Sequence, residues 1–132
     1  RHIASCTTSD LRVRSVLGGE SQAIVRGLVR IEKNARGCKG RQKEETLLLS
    51  DDAKITAIPD LEILNDEVEC GHAATTGRLD PEKLFYLMSR GLDRASAERA
   101  LVEGFAASFI AELGDPALET AALEALEESL KR

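Results

Sequence analysis

At 132 residues, with 42% hydrophobic and 31% charged residues, the chain has material for one domain, or one domain with a small appendage. Three Phe, one Tyr and no Trp argue against a nucleic-acid surface built on stacked bases, so Val, Ile, Leu and Ala must do most of the packing. The net charge of −5 is uneven: residues 1–45 carry ten Lys/Arg against five Asp/Glu, and residues 46–132 carry eight against eighteen.

The first elements read as short strands. Leu11–Leu17 is a brief apolar run closed by Gly18-Gly19. Ser21–Ile31 alternates, with Val25, Gly27, Val29 and Ile31 on one side and Arg26 and Arg30 on the other. Asn34–Glu45 is polar, holds Gly37 and Gly40, and reads as a loop. Leu47-Leu48-Leu49 has the continuous apolar character of a strand buried on both faces. After a turn at Asp51-Asp52 come Lys54–Ile58 and Leu61–Leu64, split by Pro59-Asp60, and then Glu67–His72. Such strands suit a sandwich, a barrel or a coil of stacked strands, and the lack of Asn-Gly or Asp-Gly turns disfavours a hairpin meander.

After Gly77 the period becomes helical. Asp80-Pro81 supplies an N-cap followed by Pro at the first helical position, and Leu84, Phe85, Leu87 and Met88 form a stripe that Gly91 ends. A second helix follows Asp93, with Ala97, Leu101, Phe105, Phe109 and Leu113 recurring on one face. Asp115-Pro116 repeats the cap for a third, in which Leu118, Ala122, Leu126 and Leu130 align. The expected organisation is a mainly β body over residues 1–78 and a small α-helical domain over 79–132.

Cys6, Cys38 and Cys70 are odd in number and contain no CxxC pair, which fits reduced thiols in a cytoplasmic protein better than a disulfide framework. No run of about 18 apolar residues predicts a membrane span. A start at Arg1 that drops at once into strand-like sequence reads as a piece of a longer polypeptide. Phosphate-cradling loops of the GxxxxGK[ST] or GxGxxG kind are missing from the sequence.

One constellation carries possible chemistry. Cys70-Gly71-His72 puts a thiol and an imidazole on the same face of a strand, where both can reach a metal. The same spacing is compatible with a Cys–His dyad, and a buried Cys is ordinarily a small hydrophobe. Asp51-Asp52 and Asp66-Glu67 read as solvated corners rather than paired carboxylates.

Three runs resemble the C-terminal signature of the SufB/SufD family of iron–sulfur cluster assembly scaffolds. They are Ile58-Pro-Asp-Leu-Glu-Ile, Asp66-Glu-Val-Glu-Cys-Gly-His-Ala-Ala-Thr-Thr-Gly-Arg-Leu-Asp, and Leu84-Phe-Tyr-Leu-Met-Ser-Arg-Gly. Val25-Arg-Gly-Leu-Val, Leu47-Leu-Leu-Ser-Asp-Asp-Ala and Gly104-Phe105 match more loosely, so the resemblance covers nearly the whole chain. It implies a right-handed parallel β-helix segment followed by a small C-terminal α-helical domain. It also implies a non-catalytic subunit that docks the ABC-type ATPase SufC through the terminal helices, with Phe85, Arg90 and Phe105 as candidate contacts. His72 and Cys70 become candidate cluster-site or metal residues at an interface with a SufB/SufD-type partner or a second copy. An iron–sulfur cluster is then expected in the assembled complex and none in the chain alone, with no nucleic-acid or membrane partner. Ala73, where SufB-like members carry Glu, makes the chain SufD-like. The competing readings are a β-helix carbohydrate-active enzyme and a generic interaction module.

Overall fold

The computed structural model describes residues 1–130, which fall into two compact units divided after Arg78. In the first unit the strands are β1 (Thr8–Leu17), β2 (Gln22–Ile31), β3 (Cys38–Leu48), β4 (Lys54–Ile63) and β5 (Val68–Arg78). They make two open sheets, ordered β1-β3-β5 and β2-β4, and every pairing is parallel. Thr8 lies beside Lys39, Cys38 beside Val68, and Gln22 beside Lys54. Each strand therefore pairs with the next but one, and the strand between them, in the other sheet, serves as the crossover that parallel pairing requires.

The polar stretch expected as a loop is instead the start of the central strand. From Cys38 to Thr46 the burial alternates: Cys38, Gly40, Gln42, Glu44 and Thr46 are buried, while Lys39, Arg41 and Lys43 are exposed. The period of two is present, but mostly small or polar residues occupy the inward positions, so a hydrophobic pattern could not reveal it. β4 likewise runs unbroken through Pro59. It is an outer strand of its sheet, where a missing N–H need not interrupt a ladder. β5 continues past His72 to Arg78 on the β-branched Thr75 and Thr76.

The apolar core sits at one end of these layers. Val29, Ile31, Ala35 and Cys38 are buried around the corner between β2 and β3, and Leu61, Val68 and Cys70 pack against them. Further along β3 the inner lining turns polar, through Gln42, Glu44 and Thr46. His2 closes the core end: its N–H donates to Arg30 O, its carbonyl accepts from Glu32 N, and its ring lies buried.

The second unit holds α1 (Pro81–Ser89), α2 (Arg94–Ile110) with a 3-10 turn at Ala111–Leu113, and α3 (Pro116–Leu130). Asp80 accepts from the N–H groups of Glu82 and Lys83, Asp93 from Ser96, and Asp115 from Ala117 and Leu118, so all three expected caps form. Gly91 ends α1 with φ of 99°, a conformation open to glycine without steric cost. In α2 the buried positions are Ala97, Val102 and Ile110; Leu101, Phe105 and Phe109 lie at the margin, and Leu113 is exposed. With helices nearly as extensive as strands, the chain is mixed rather than mainly β. Among the described residues no helix is long and apolar enough to cross a membrane.

Candidate functional site

β5 is the outermost strand of its sheet, and it carries Cys70 and His72 near its start. The Cys70 thiol turns inward: it stands 3.2 Å from the point that a Cβ on Gly40 would occupy, and Val29 Cγ1 is 2.9 Å from that same point. Glycine at 40 thus leaves room for the thiol beside the core. His72, two residues on, leaves the sheet on the same side and is exposed. Its register partner on β3 is Gln42, as Gly40 is that of Cys70.

Gln42 and Glu44 are side groups that the sequence reading passed over. Both are almost fully buried, at 2% and 3% exposure. Gln42 Nε2 donates to Glu44 Oε1 at 2.7 Å, while Gln42 Oε1 and Glu44 Oε2 have no hydrogen-bond partner among the described residues. The only hint in the sequence is their spacing of two, on the same parity as Cys38 and Gly40.

A second polar cluster lies at the core end. The His2 ring is held between two hydroxyls, Thr7 Oγ1 at 2.6 Å from Nδ1 and Ser9 Oγ at 2.8 Å from Nε2. Thr7 Oγ1 also meets Cys38 Sγ at 3.3 Å, and that thiol donates to Ala4 O. Cys38 is therefore a buried, hydrogen-bonded thiol, Cys6 an exposed one with a left-handed φ of 58°, and Cys70 half-buried; all three are free.

The solvent face of β1-β3-β5 is a lattice of charges. Lys39 and Arg41 both approach Glu69, at 3.0 and 3.5 Å, and the Lys39 hydrogen bond leads in holding that carboxyl below its ordinary value. Lys43, followed by Arg14, does the same for Glu45, and Arg12 for Asp10. A depression of about 460 Å³ is lined by Asp10, Arg12, Arg41, Lys43, Glu69 and the stretch Cys70–Ala73. Of the acidic corners, Asp51 pairs with Arg78 and Glu67 with Arg36 at 3.7 Å. Among the described residues no three of His, Cys, Asp and Glu are grouped to hold a metal, so Cys70 and His72 are not joined by a third such ligand.

In the helical unit Phe85 is 74% exposed, and Tyr86 and Met88 are exposed beside it. The Arg90 guanidinium lies over the Tyr86 ring, 5.3 Å from its centroid. Phe105 is half-buried. The three candidate partner contacts thus differ: Phe85 and Arg90 are surface groups, and Phe105 belongs to the margin of the helical packing.

A family model described as SUF system FeS cluster assembly, SufBD core domain, matches residues 1–105. The iron–sulfur cluster assembly protein SufD of Escherichia coli K12 is 32% identical over 114 residues, covering 86% of this chain and 27% of that protein. SufD of Bacillus subtilis is 33% identical over 130 residues, covering 98% and 30%. An iron–sulfur cluster assembly SufBD family protein of Mycobacterium leprae is 37% identical over 112 residues, covering 85% and 13%. The chain spans under a third of the length of these relatives.

Proposed function

The chain belongs to the SufB/SufD family of iron–sulfur cluster assembly proteins, and from that premise we propose that it is a non-catalytic, SufD-like scaffold segment. Its strands form turns of a right-handed parallel β-helix, a reading supported by the strict alternation of successive strands between two parallel sheets. Iron and sulfide are cargo here, gathered where this chain meets a SufB/SufD-type partner or a second copy, and ATP hydrolysis belongs to a SufC-type ATPase docked on the helices. The three free thiols suit a cytoplasmic setting.

The observation that carries this reading is the placement of Cys70 and His72 on the outermost strand of a sheet. An outer strand offers unpaired backbone groups to another chain, so a partner that adds to β5 comes directly against these two side chains. A half-buried thiol and an exposed imidazole supply soft and borderline ligands, and the partner supplies the rest. The thiol must lose its proton to bind iron, so loading releases acid.

The test is anaerobic reconstitution of the full chain with its SufB-type and SufC-type partners, read by visible absorption. His72→Ala is expected to lower cluster yield severalfold while leaving the complex assembled. Unchanged yield would remove His72 from the site, and failure of the wild-type chain to co-purify with either partner would overturn the scaffold reading.

A further inference from the structure

The buried carboxylate of Glu44 is the least compensated group on the inner side of β3. A carboxylate withdrawn from water costs several kcal/mol unless a cation or a set of donors meets it. At 3% exposure Glu44 has one neutral donor, the Gln42 amide, and its second oxygen is unmet among the described residues. The same holds for Gln42 Oε1, so two acceptors and one negative charge share a small volume without a positive partner.

The register says what stands next to them. Gln42 pairs directly with His72 across β3 and β5, at the strand spacing of about 4.8 Å, and Glu44 is the next inward residue along. His72 is exposed on the edge strand, on the same side as Cys70. Cys70 is one pair nearer the core, with its thiol set between Gly40 and Val29. The inner side of this edge therefore offers a carboxylate oxygen, an amide oxygen and an imidazole nitrogen, with the thiol set apart.

We propose that Glu44, Gln42 and His72 form a binding site for one divalent transition-metal ion of borderline softness, such as ferrous iron. Oxygen and nitrogen donors in this mixture suit such ions, and the charge of the ion meets the unpaired carboxylate. The Gln42 amide plays two parts: its N–H orients Glu44, and its carbonyl faces the ion. The inference rests on the reading of His72 as a site residue and adds Glu44 and Gln42 to it. It also places the first metal on oxygen and nitrogen, leaving the Cys70 thiol for sulfur chemistry.

Cobalt(II), added anaerobically to the full chain, is the probe. Wild-type protein is expected to give visible d–d absorption without a thiolate charge-transfer band, and a rise in melting temperature on binding. Glu44→Gln keeps the shape and the Gln42 hydrogen bond while deleting the charge. Metal-free, it is expected to melt no lower than wild type, and to bind cobalt about tenfold or more weakly. Glu44→Asp is expected to retain binding with a shifted spectrum. Wild-type affinity in Glu44→Gln would overturn the inference. If His72→Ala and Cys70→Ala abolish binding while Glu44→Gln does not, the inference falls and the Cys70–His72 site stands. Absence of cobalt binding by the wild-type chain would also overturn it.

Discussion

The side-chain amide of Gln42, reaching across from β3, occupies the space in which a Cβ on Gly27 of β2 would stand. Gln42 Cδ is only 2.7 Å from that point, and the amide nitrogen is closer still. Gly27 is thus a seat for a buried polar group from the facing sheet, and its lack of a side chain allows the two layers to close over Gln42. Gly27→Ala forces the amide out of place, and overpacking of this kind costs about 1–3 kcal/mol. Urea denaturation should show that loss. The double variant Gly27→Ala/Gln42→Ala should recover part of it, because the clash goes even though Glu44 then lacks its donor. Strict additivity of the two changes would show that they do not meet.

The apolar end of the layers should dominate stability. Ile31 is fully buried beside Val29, Ala35 and Cys38, whereas Ile24, on the same strand, is 76% exposed. Truncating a buried Ile to Ala costs about 2–5 kcal/mol, and truncating an exposed one costs a small fraction of that. The expected order in denaturant midpoint is therefore wild type close to Ile24→Ala, with Ile31→Ala far lower. Equal effects would place the core elsewhere.

The outer charge lattice fixes the sign of the response to acid. Glu69, Glu45 and Asp10 all have carboxyls held below their ordinary values of 4.5, 4.5 and 3.8 by neighbouring cations, chiefly Lys39, Lys43 and Arg12. A carboxyl lowered in the folded state favours folding above its unfolded pKa. That contribution is lost as pH falls through the lowered value. Stability should therefore decline on acidification below the ordinary carboxylate range, and less steeply in high salt, since Glu69 and Asp10 are exposed and Glu45 only partly buried. In carboxyl-resolved NMR titrations Lys39→Ala should move the Glu69 midpoint upward. A midpoint that stays put would mean that Lys39 does not set it.

What the sequence made legible follows its apolar periodicity. The helices and their caps were readable because Asp80, Asp93 and Asp115 each precede a stripe of 3.6-residue period, and the strand ending in Val29 and Ile31 because it alternates. β3 was not, since its inward positions are Gly40, Gln42, Glu44 and Thr46, residues that look like a loop when judged by hydropathy. The same blindness hid part of the proposed site: Cys70 and His72 stood out as chemical types, but the Glu44 carboxyl and Gln42 amide on β3 carry no signature until the register of β3 and β5 is known. Burial of polar groups is a tertiary fact. In α2 the expected stripe holds at Ala97, but further along the buried residues are Val102 and Ile110, one position beyond Leu101 and Phe109, which lie at the margin.

The helical unit allows docking and folding to be separated. Phe85 is 74% exposed, too much for a residue that holds α1 in place, and it lies in a patch with Tyr86 and Met88. A large exposed aromatic in such a patch is the usual anchor of a protein interface. Phe85→Asp should therefore leave the circular dichroism and melting temperature of the chain nearly unchanged while weakening capture of a SufC-type ATPase at least tenfold. Phe105→Asp places a charge in a half-buried position on α2, so it should lower stability first and binding as a consequence. Arg90→Ala removes the guanidinium from the Tyr86 ring and should weaken capture by a smaller factor. Full ATPase capture by a folded Phe85→Asp chain would overturn the proposed docking through α1.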